Sequence, residues 1–339
     1  MPASGRRTPD AARISHGKLP HSDHAKMKIG ELSRDAVTTP SGSEDGPLQN
    51  RLEAFHTYRG LLFSVAYRML GSVSDAEDML QETFIRWQQA SDSDIQSARA
   101  FLVTITSRLC LNHLQSARMR REKYVGQWLP EPLVTGSAND PSSSSRLKDS
   151  LSIAFLVLLE QLTPLERAVF LLREVFDYKY SEIARILDQN EPNCRQILRR
   201  ARLQIARGRP RFDPSQQQRE ILLQRFVEAC ARGEMEGLLA LLSNEIVFYS
   251  DGGGKGAAVP NRIYGPISVA KMVLGALRKL VPRNRITRIA EINGQPGIIN
   301  YLDGQPNSVM TVDVIDGHIR NIYVVSNPDK LCHLPELPS

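Results

Sequence analysis

From Leu48 to about Tyr124 apolar residues recur at intervals of three and four, a spacing that predicts helices throughout. Within it, SDAEDMLQETFIRW places Ser74 and Glu77 at capping-box spacing, and Ala76, Met79, Leu80, Thr83, Phe84 and Trp87 fall on one side of the helix. The opposite side carries Asp75, Asp78, Gln81, Glu82 and Ile85. A polar loop, Gln88 to Ser97, leads to a second amphipathic helix, Ala98 to about Arg121. The pattern breaks at WLPEPLVTGSANDPSSSSR, where prolines and then serines predict a linker over 125–147. Residues 148–208 are helical again. In TPLE, Thr163 as N-cap, Pro164 at the first helical position and Glu166 three residues after the cap start a helix that runs to about Val175. Ser181 is expected to cap SEIARIL, and after a DQN turn Asn190 caps a helix from Glu191 to about Ala206, with Pro192 tolerated in its first turn. Two helices joined by so short a turn make a helix-turn-helix. Beyond Pro214 the pattern predicts two helices, a strand at Glu245–Tyr249, a helix at Ile267–Val281, and then β-rich runs separated by NGQPG, DGQPN and DG turns. The third domain, 214–332, is therefore α+β.

Composition adds limits. The chain has 339 residues, 41% of them hydrophobic, so it can bury several cores. Residues 1–45 hold seven Lys or Arg, six Asp or Glu and no aromatic residue, which predicts a disordered tail. His16, His21 and His24 lie in that tail without cysteines beside them, and are read as exposed side chains, not metal ligands. The four cysteines, Cys110, Cys194, Cys230 and Cys332, are too far apart for a CxxC pair and fit a reducing cytosol. With no signal-type apolar region and no run near 18 apolar residues, neither secretion nor membrane insertion is expected, and the expected location is cytoplasmic.

The formal charge of +6 matters less than where it lies. On the Glu191–Ala206 helix, Cys194, Ile197, Leu198, Ala201 and Ile205 form a stripe for the core, with Cys194 a small core hydrophobe. Arg195, Gln196, Arg199, Arg200 and Arg202 point the other way, and Arg195 to Arg211 contains seven arginines and no acid. Such a face suits phosphates, and Asn193, Gln196 and the arginines can also read base edges. Arg195, Gln196 and Arg199 stand where base contacts are expected, Arg200 and Arg202 where phosphates are. The plain alternative is a solvated basic face. Leu203 falls off the stripe without an explanation. In the first domain, the acidic face repels DNA and suits a basic protein partner, against the alternative of a solvated face complementing the helix dipole. The helix behind it ends in Arg118, Arg120, Arg121 and Lys123, which suits a nucleic-acid backbone. If the third domain were an enzyme, Asp251, Asp313, Asp316 and His318 would be its acid and base candidates. However, no helix is predicted after DGGGK, so a phosphate cradle is not favoured, and Asp316-Gly317 reads as a hairpin turn.

The order of DAEDMLQETFIRW, polar loop, basic-ended helix, linker, LTPLERAVFLLREVFDYKYSEIARIL and RRARLQIA resembles the sigma-70 family of bacterial transcription initiation factors, in particular its extracytoplasmic-function group. WLPEPL at Trp128–Leu133, DGGGK at Asp251–Lys255 and NPDKL at Asn327–Leu331 resemble the subgroup with a SnoaL-like C-terminal extension. The resemblance implies two all-α sigma domains, 46–124 (region 2) and 148–208 (region 4), followed by an α+β NTF2-like cone. It implies that region 2 binds the β′ clamp of core RNA polymerase through Asp75, Asp78, Gln81, Glu82 and Ile85. The −10 promoter element would fall to Arg118, Arg120 and Arg121 with the loop before them. Region 4 would take the −35 element through Asn193, Arg195, Gln196, Arg199, Arg200 and Arg202, and the β flap of core polymerase is implied as a further partner. Interdomain regulation is implied for Trp128, Pro130, Asp251, Lys255, Asn327, Pro328, Asp329 and Lys330, with no catalysis, metal or cofactor, while an unidentified small ligand in the cone stays open. Asp188 stands where the family often has Gly, and Cys194 where Val or Ala is usual. Two other readings compete: a cyclase or isomerase-like enzyme fused to a DNA-binding module, and a helix-turn-helix regulator whose cone senses a metabolite. Neither needs an acidic helix ahead of a basic one.

Overall fold

A computed structural model describes residues 45–91, 95, 97–121, 124–135, 150–206, 215–279 and 285–337. The expected tail up to residue 44 with its histidines, the second half of the linker, residues 92–94 and 96 of the polar loop, and Arg207, Arg209 and Arg211 lie outside them.

The first domain consists of α1 (Asp45–Leu70), α2 (Val73–Gln89) and α3 (Ala98–Arg121). α2 buries Ala76, Leu80, Thr83 and Trp87, and the Thr83 and Thr106 hydroxyls bond at 3.1 Å to join it to α3. Its N-cap is Ser72, not the expected Ser74: the Ser72 hydroxyl accepts the Asp75 N–H at 3.1 Å, leaving Ser74 in the first turn. The other end is closed by Arg51, which donates to the carbonyls of Trp87 and Ala90.

In the second domain, α4 (Ile153–Leu159) precedes α5 (Pro164–Phe170), which begins with the expected Thr163–Glu166 capping box and widens into a π turn over Leu171–Val175. α6 (Tyr180–Leu187) starts one residue before Ser181, so Ser181 lies inside it; the Lys179 N–H donates to Glu182 at 2.7 Å. Asp188 ends α6 in the left-handed region, φ +52°, which explains why glycine suits this position. Asn190 accepts the Asn193 N–H at 2.8 Å and starts α7 (Glu191–Ala206), whose buried residues are Cys194, Ile197, Leu198, Ala201 and Ile205.

Although the sequence reads as two helical domains, their buried residues form one continuous hydrophobic cluster from Phe55 to Ile205. Polar contacts reinforce it. Arg167 donates to the Met69 carbonyl at 2.6 Å, and Arg108 of α3 donates to the carbonyls of Ile186 and Arg185 at 2.8 and 3.0 Å, closing the C-terminus of α6.

The third domain has α8 (Gln216–Arg232), α9 (Met235–Leu241), β1 (Leu242–Asp251), β2 (Ile263–Tyr264), α10 (Pro266–Lys279), β3 (Ile286–Ile292), β4 (Gln295–Leu302), β5 (Gln305–Ile315) and β6 (His318–Val325). β1 is longer at both ends than the predicted strand because β6 pairs with it in parallel from Leu242 to Asp251. The sheet order is β2-β1-β6-β5-β4-β3, antiparallel elsewhere. Alternation along the strands makes two apolar faces. One face, including Ile246, Phe248, Ile298, Val312 and Ile322, packs on α8, α9 and α10 to close the cone. The other, with Ile299, Tyr301, Val309, Tyr323 and Val325, is covered by Leu129 of the linker and Ile153 of α4.

Candidate nucleic-acid interface and interdomain joint

The second helix of the helix-turn-helix, α7, exposes Arg195, Gln196, Arg199, Arg200 and Arg202, while Asn193 is half-buried. Arg195 pairs with Glu191 at 2.9 Å and Arg202 with Glu174 at 2.7 Å. Burial raises the Cys194 thiol above its ordinary value, in keeping with a packing role. Leu203 is exposed, and nothing in the structure explains it. On α2, Asp78, Gln81 and Ile85 are exposed; Glu82 pairs with Arg86 at 2.8 Å and Asp75 turns to His113 of α3 at 3.4 Å. The side chains of Arg118, Arg120 and Arg121 lie outside the described residues.

Tyr124, at the end of the first domain, and linker residues 125–135 run between that domain and the cone. The α1–α2 turn needs Gly71, at φ +68°, both for its backbone and because a Cβ there would meet the Trp128 ring at 2.8 Å. Pro130 is buried beside the same glycine. Glu131, the acid between the two prolines, accepts from the Val73 N–H at 2.6 Å and the Ser72 hydroxyl at 3.0 Å, so a linker carboxylate caps α2. Its N–H donates to the Gly71 carbonyl at 2.8 Å, and its carbonyl accepts from Tyr67 at 2.5 Å.

On the cone side, Asp251 is fully buried and accepts four donors: Tyr124 Oη at 2.6 Å, Leu129 N at 2.8 Å, Lys330 Nζ at 2.8 Å and Gly253 N at 3.1 Å. Lys330, also buried, donates to the Leu129 carbonyl at 2.5 Å and lies 4.2 Å from the Trp128 ring centre and 5.1 Å from that of Tyr124. Burial and the Asp251 carboxylate push the Tyr124 hydroxyl well above its ordinary value, which keeps it a donor. Pro328 opens the short 3-10 turn Pro328–Lys330, capped by Asn327, whose amide also donates to Tyr124 at 2.9 Å. Gly253, φ +56°, allows DGGGK to lie against Asn327, and Lys255 pairs with Asp329 at 2.6 Å on the surface. The loop is thus packed tightly against its own chain. At the far end of the joint, Val134 bridges Ile292 of β3, and Asn293 bonds Leu133 through both main chain and side chain.

The four candidate catalytic residues are not brought together. Asp251 pairs level with Val325 at one end of β6 and His318 opens the other, about 23 Å away at about 3.3 Å per residue. Asp313 accepts from Asn321 at 2.9 Å, and Asp316 is a left-handed turn residue against whose carbonyl His318 rests. Among the described residues no cluster of His, Cys, Asp or Glu could hold a metal ion.

Two family profiles match: Sigma-70 region 2 over residues 54–120 and Sigma-70, region 4 over 152–205. The chain is 34% identical over 294 residues to the ECF RNA polymerase sigma factor SigJ of Mycobacterium tuberculosis, covering 83% of this chain and 93% of that one. The chain belongs to the ECF sigma factors. It is also 31% identical over 280 residues to a probable ECF RNA polymerase sigma factor, SigI, of the same organism, with 82% and 93% covered. The crystal structure of Mycobacterium tuberculosis SigJ superposes with a TM-score of 0.68 at 31% identity, over 83% of this chain and 98% of that one.

The sequence of this sigma factor did not disclose Tyr67, Tyr124, Glu131, Asn293 or Arg108 as joint residues. Asn293 offered a signal, an Asn-Gly turn, but that pattern announces only the turn. Its left-handed backbone, φ +52°, is legible there; the amide bonded to Tyr67 at 2.7 Å and to the Leu151 carbonyl at 3.0 Å is not. Glu131 stands out as an acid between prolines in an otherwise apolar run, yet only the fold brings it to a helix N-terminus.

Proposed function

We propose that this ECF sigma factor is held closed by its own cone, which grips the linker between region 2 and region 4. The observation that carries this reading is Asp251, buried and bonded at once to Tyr124, Leu129 and Lys330, so that the cone's loop and tail clasp the linker. Size supports the reading. Residues Glu44–Ser339 are one compact unit, and a chain of that length is about 50 Å across. The −10 and −35 elements lie roughly 25 base pairs, or about 85 Å, apart on B-DNA. Both elements cannot be engaged while the helical domains share one core, so the closed form is not promoter-competent.

Region 2 meets the β′ clamp of core polymerase with Asp78, Gln81, Glu82 and Ile85, with Asp75 at the edge of that face. Its basic-ended helix, Arg118, Arg120 and Arg121, takes the −10 strand with the preceding loop. Region 4 takes the −35 element through α7, with Asn193, Arg195, Gln196 and Arg199 toward bases and Arg200 and Arg202 toward phosphates, and it meets the β flap. Trp128, Pro130, Asp251, Lys255, Asn327, Pro328, Asp329 and Lys330 regulate in cis. The protein works in the cytoplasm, without catalysis of its own. Support for a non-catalytic cone comes from the commitment of Asp251 to the joint and the distance separating it from His318.

Transcription from one promoter at equal core saturation tests this, with the full chain, a chain ending at Ser326 and a chain ending at Gly208. Removing NPDKL frees the linker and raises output. Removing the whole cone also bares Leu129 and Ile153 and gives a third level. Identical output from all three would overturn regulation by the cone.

A further inference from the structure

Arg195 differs from its neighbours on α7. Its guanidinium lies 4.5 Å from the centre of the Tyr180 ring and donates to Glu191 at 2.9 Å, so one face and one nitrogen are already fixed. The ring is itself held: Arg173 lies 5.2 Å from its centre and is tied to the Tyr178 carbonyl at 2.9 Å. Yet the Arg195 side chain is 58% exposed. An arginine has five N–H donors in a rigid fork, and stacking plus one ion pair leaves an edge free for a bidentate contact with guanine or phosphate. Arg202 is tethered further along by Glu174. Arg199 and Arg200 have no such tether among the described residues.

We propose that Tyr180 and Glu191 are positioning residues that hold the Arg195 guanidinium in its base-reading orientation, making Arg195 the dominant selector of one −35 base pair. The proposal rests on α7 reading the −35 element. A free arginine would have to be immobilised on each encounter, whereas a stacked and bonded one enters the groove with that ordering cost already met. The Glu191 carboxylate also repels phosphates of every sequence equally and so lowers affinity without discriminating; it acts on preference only through the orientation it gives Arg195.

The test uses the full chain assembled with core polymerase and a promoter library randomised over the −35 element, scored for base preference and salt dependence. Arg195→Ala is expected to lose roughly tenfold preference at one base pair. Tyr180→Leu should lose preference at the same base pair while keeping the wild-type salt slope, since no charge is removed. Tyr180→Phe keeps the ring face and should retain the preference. Glu191→Ala, a change at a half-buried position in the first turn of α7, should raise affinity for all sequences while lowering the preference. Should Arg195→Ala shift no single position, the reading of Arg195 as a base contact fails. Should it do so while Tyr180→Leu and Glu191→Ala keep wild-type preference, the base contact stands and the positioning role is overturned. Uniform loss across all positions in Tyr180→Leu, with no restoration in Tyr180→Phe, would also overturn it.

Discussion

Lys330→Met removes the cation from the joint and keeps most of its apolar stem. Lys330 and Asp251 are 6% and 0% exposed and 2.8 Å apart, so their attraction is little screened by solvent. Removing one partner of a buried pair costs about 3–5 kcal/mol, mostly from the charge left behind. Asp251 keeps Tyr124, Leu129 N and Gly253 N as donors, which places the cost near the lower end, about 3 kcal/mol. Because the helical domains and the cone each have a core of their own besides the apolar cluster they share at the joint, the loss should appear as local opening of the joint and not as global unfolding. Amide exchange reads this directly. The N–H groups of Glu131, bonded to Gly71, and Asn293, bonded to Leu133, should exchange roughly 150-fold faster, while Leu223 inside α8 is unchanged. Combining Lys330→Met with Asp251→Asn should cost about 2 kcal/mol less than the two changes summed, since the second removes the stranded charge. Acceleration below about fivefold at both amides, or strict additivity, would refute the pairing argument.

Other outcomes are as specific. Changing Asp78 and Glu82 together to Lys should abolish copurification with core polymerase with the melting temperature unaltered, because one is exposed and the other pairs only along the helix surface; undiminished binding would remove the clamp assignment. Asp188→Gly relieves a left-handed non-glycine residue and should add about 0.5–1 kcal/mol, raising the midpoint by about 2 °C, measurable by calorimetry. Burial raises the Tyr67 and Tyr124 hydroxyls, so the unfolded chain ionises near pH 10 while the folded chain holds its protons. Stability from these groups is complete below about pH 10 and falls above it; a melting temperature that is flat from about pH 9 to 11 would contradict this.

Much of the architecture was legible because it rests on local signals. The stripe on α7, the capping box at Thr163 and the asparagine cap at Asn190 each follow from spacing, and the structure agrees residue by residue. Legibility ended where a partner was distant in sequence. Ser74 and Ser181 have good cap chemistry, but which serine caps depends on the incoming chain, and at α2 that chain is the linker. The second apolar face of the sheet reads as ordinary alternation, and nothing local says that α4 and Leu129 cover it. The exposed arginines were legible as a basic face, but not that Tyr180 holds one of them.

The claim that the cone keeps the two helical domains closed is tested most directly by a covalent lock at the joint. Val134 and Ile292 face each other across a narrow antiparallel pair, flanked by the Thr135 N–H to Glu291 and Asn293 N–H to Leu133 bonds, a spacing that suits a disulfide. Val134→Cys with Ile292→Cys, in a chain with Cys230 and Cys332 changed to Ser, fixes the linker to the cone when oxidised. Promoter-dependent transcription with saturating core polymerase should fall at least tenfold in the oxidised protein and return on reduction. Equal transcription from the locked and reduced forms would contradict the account.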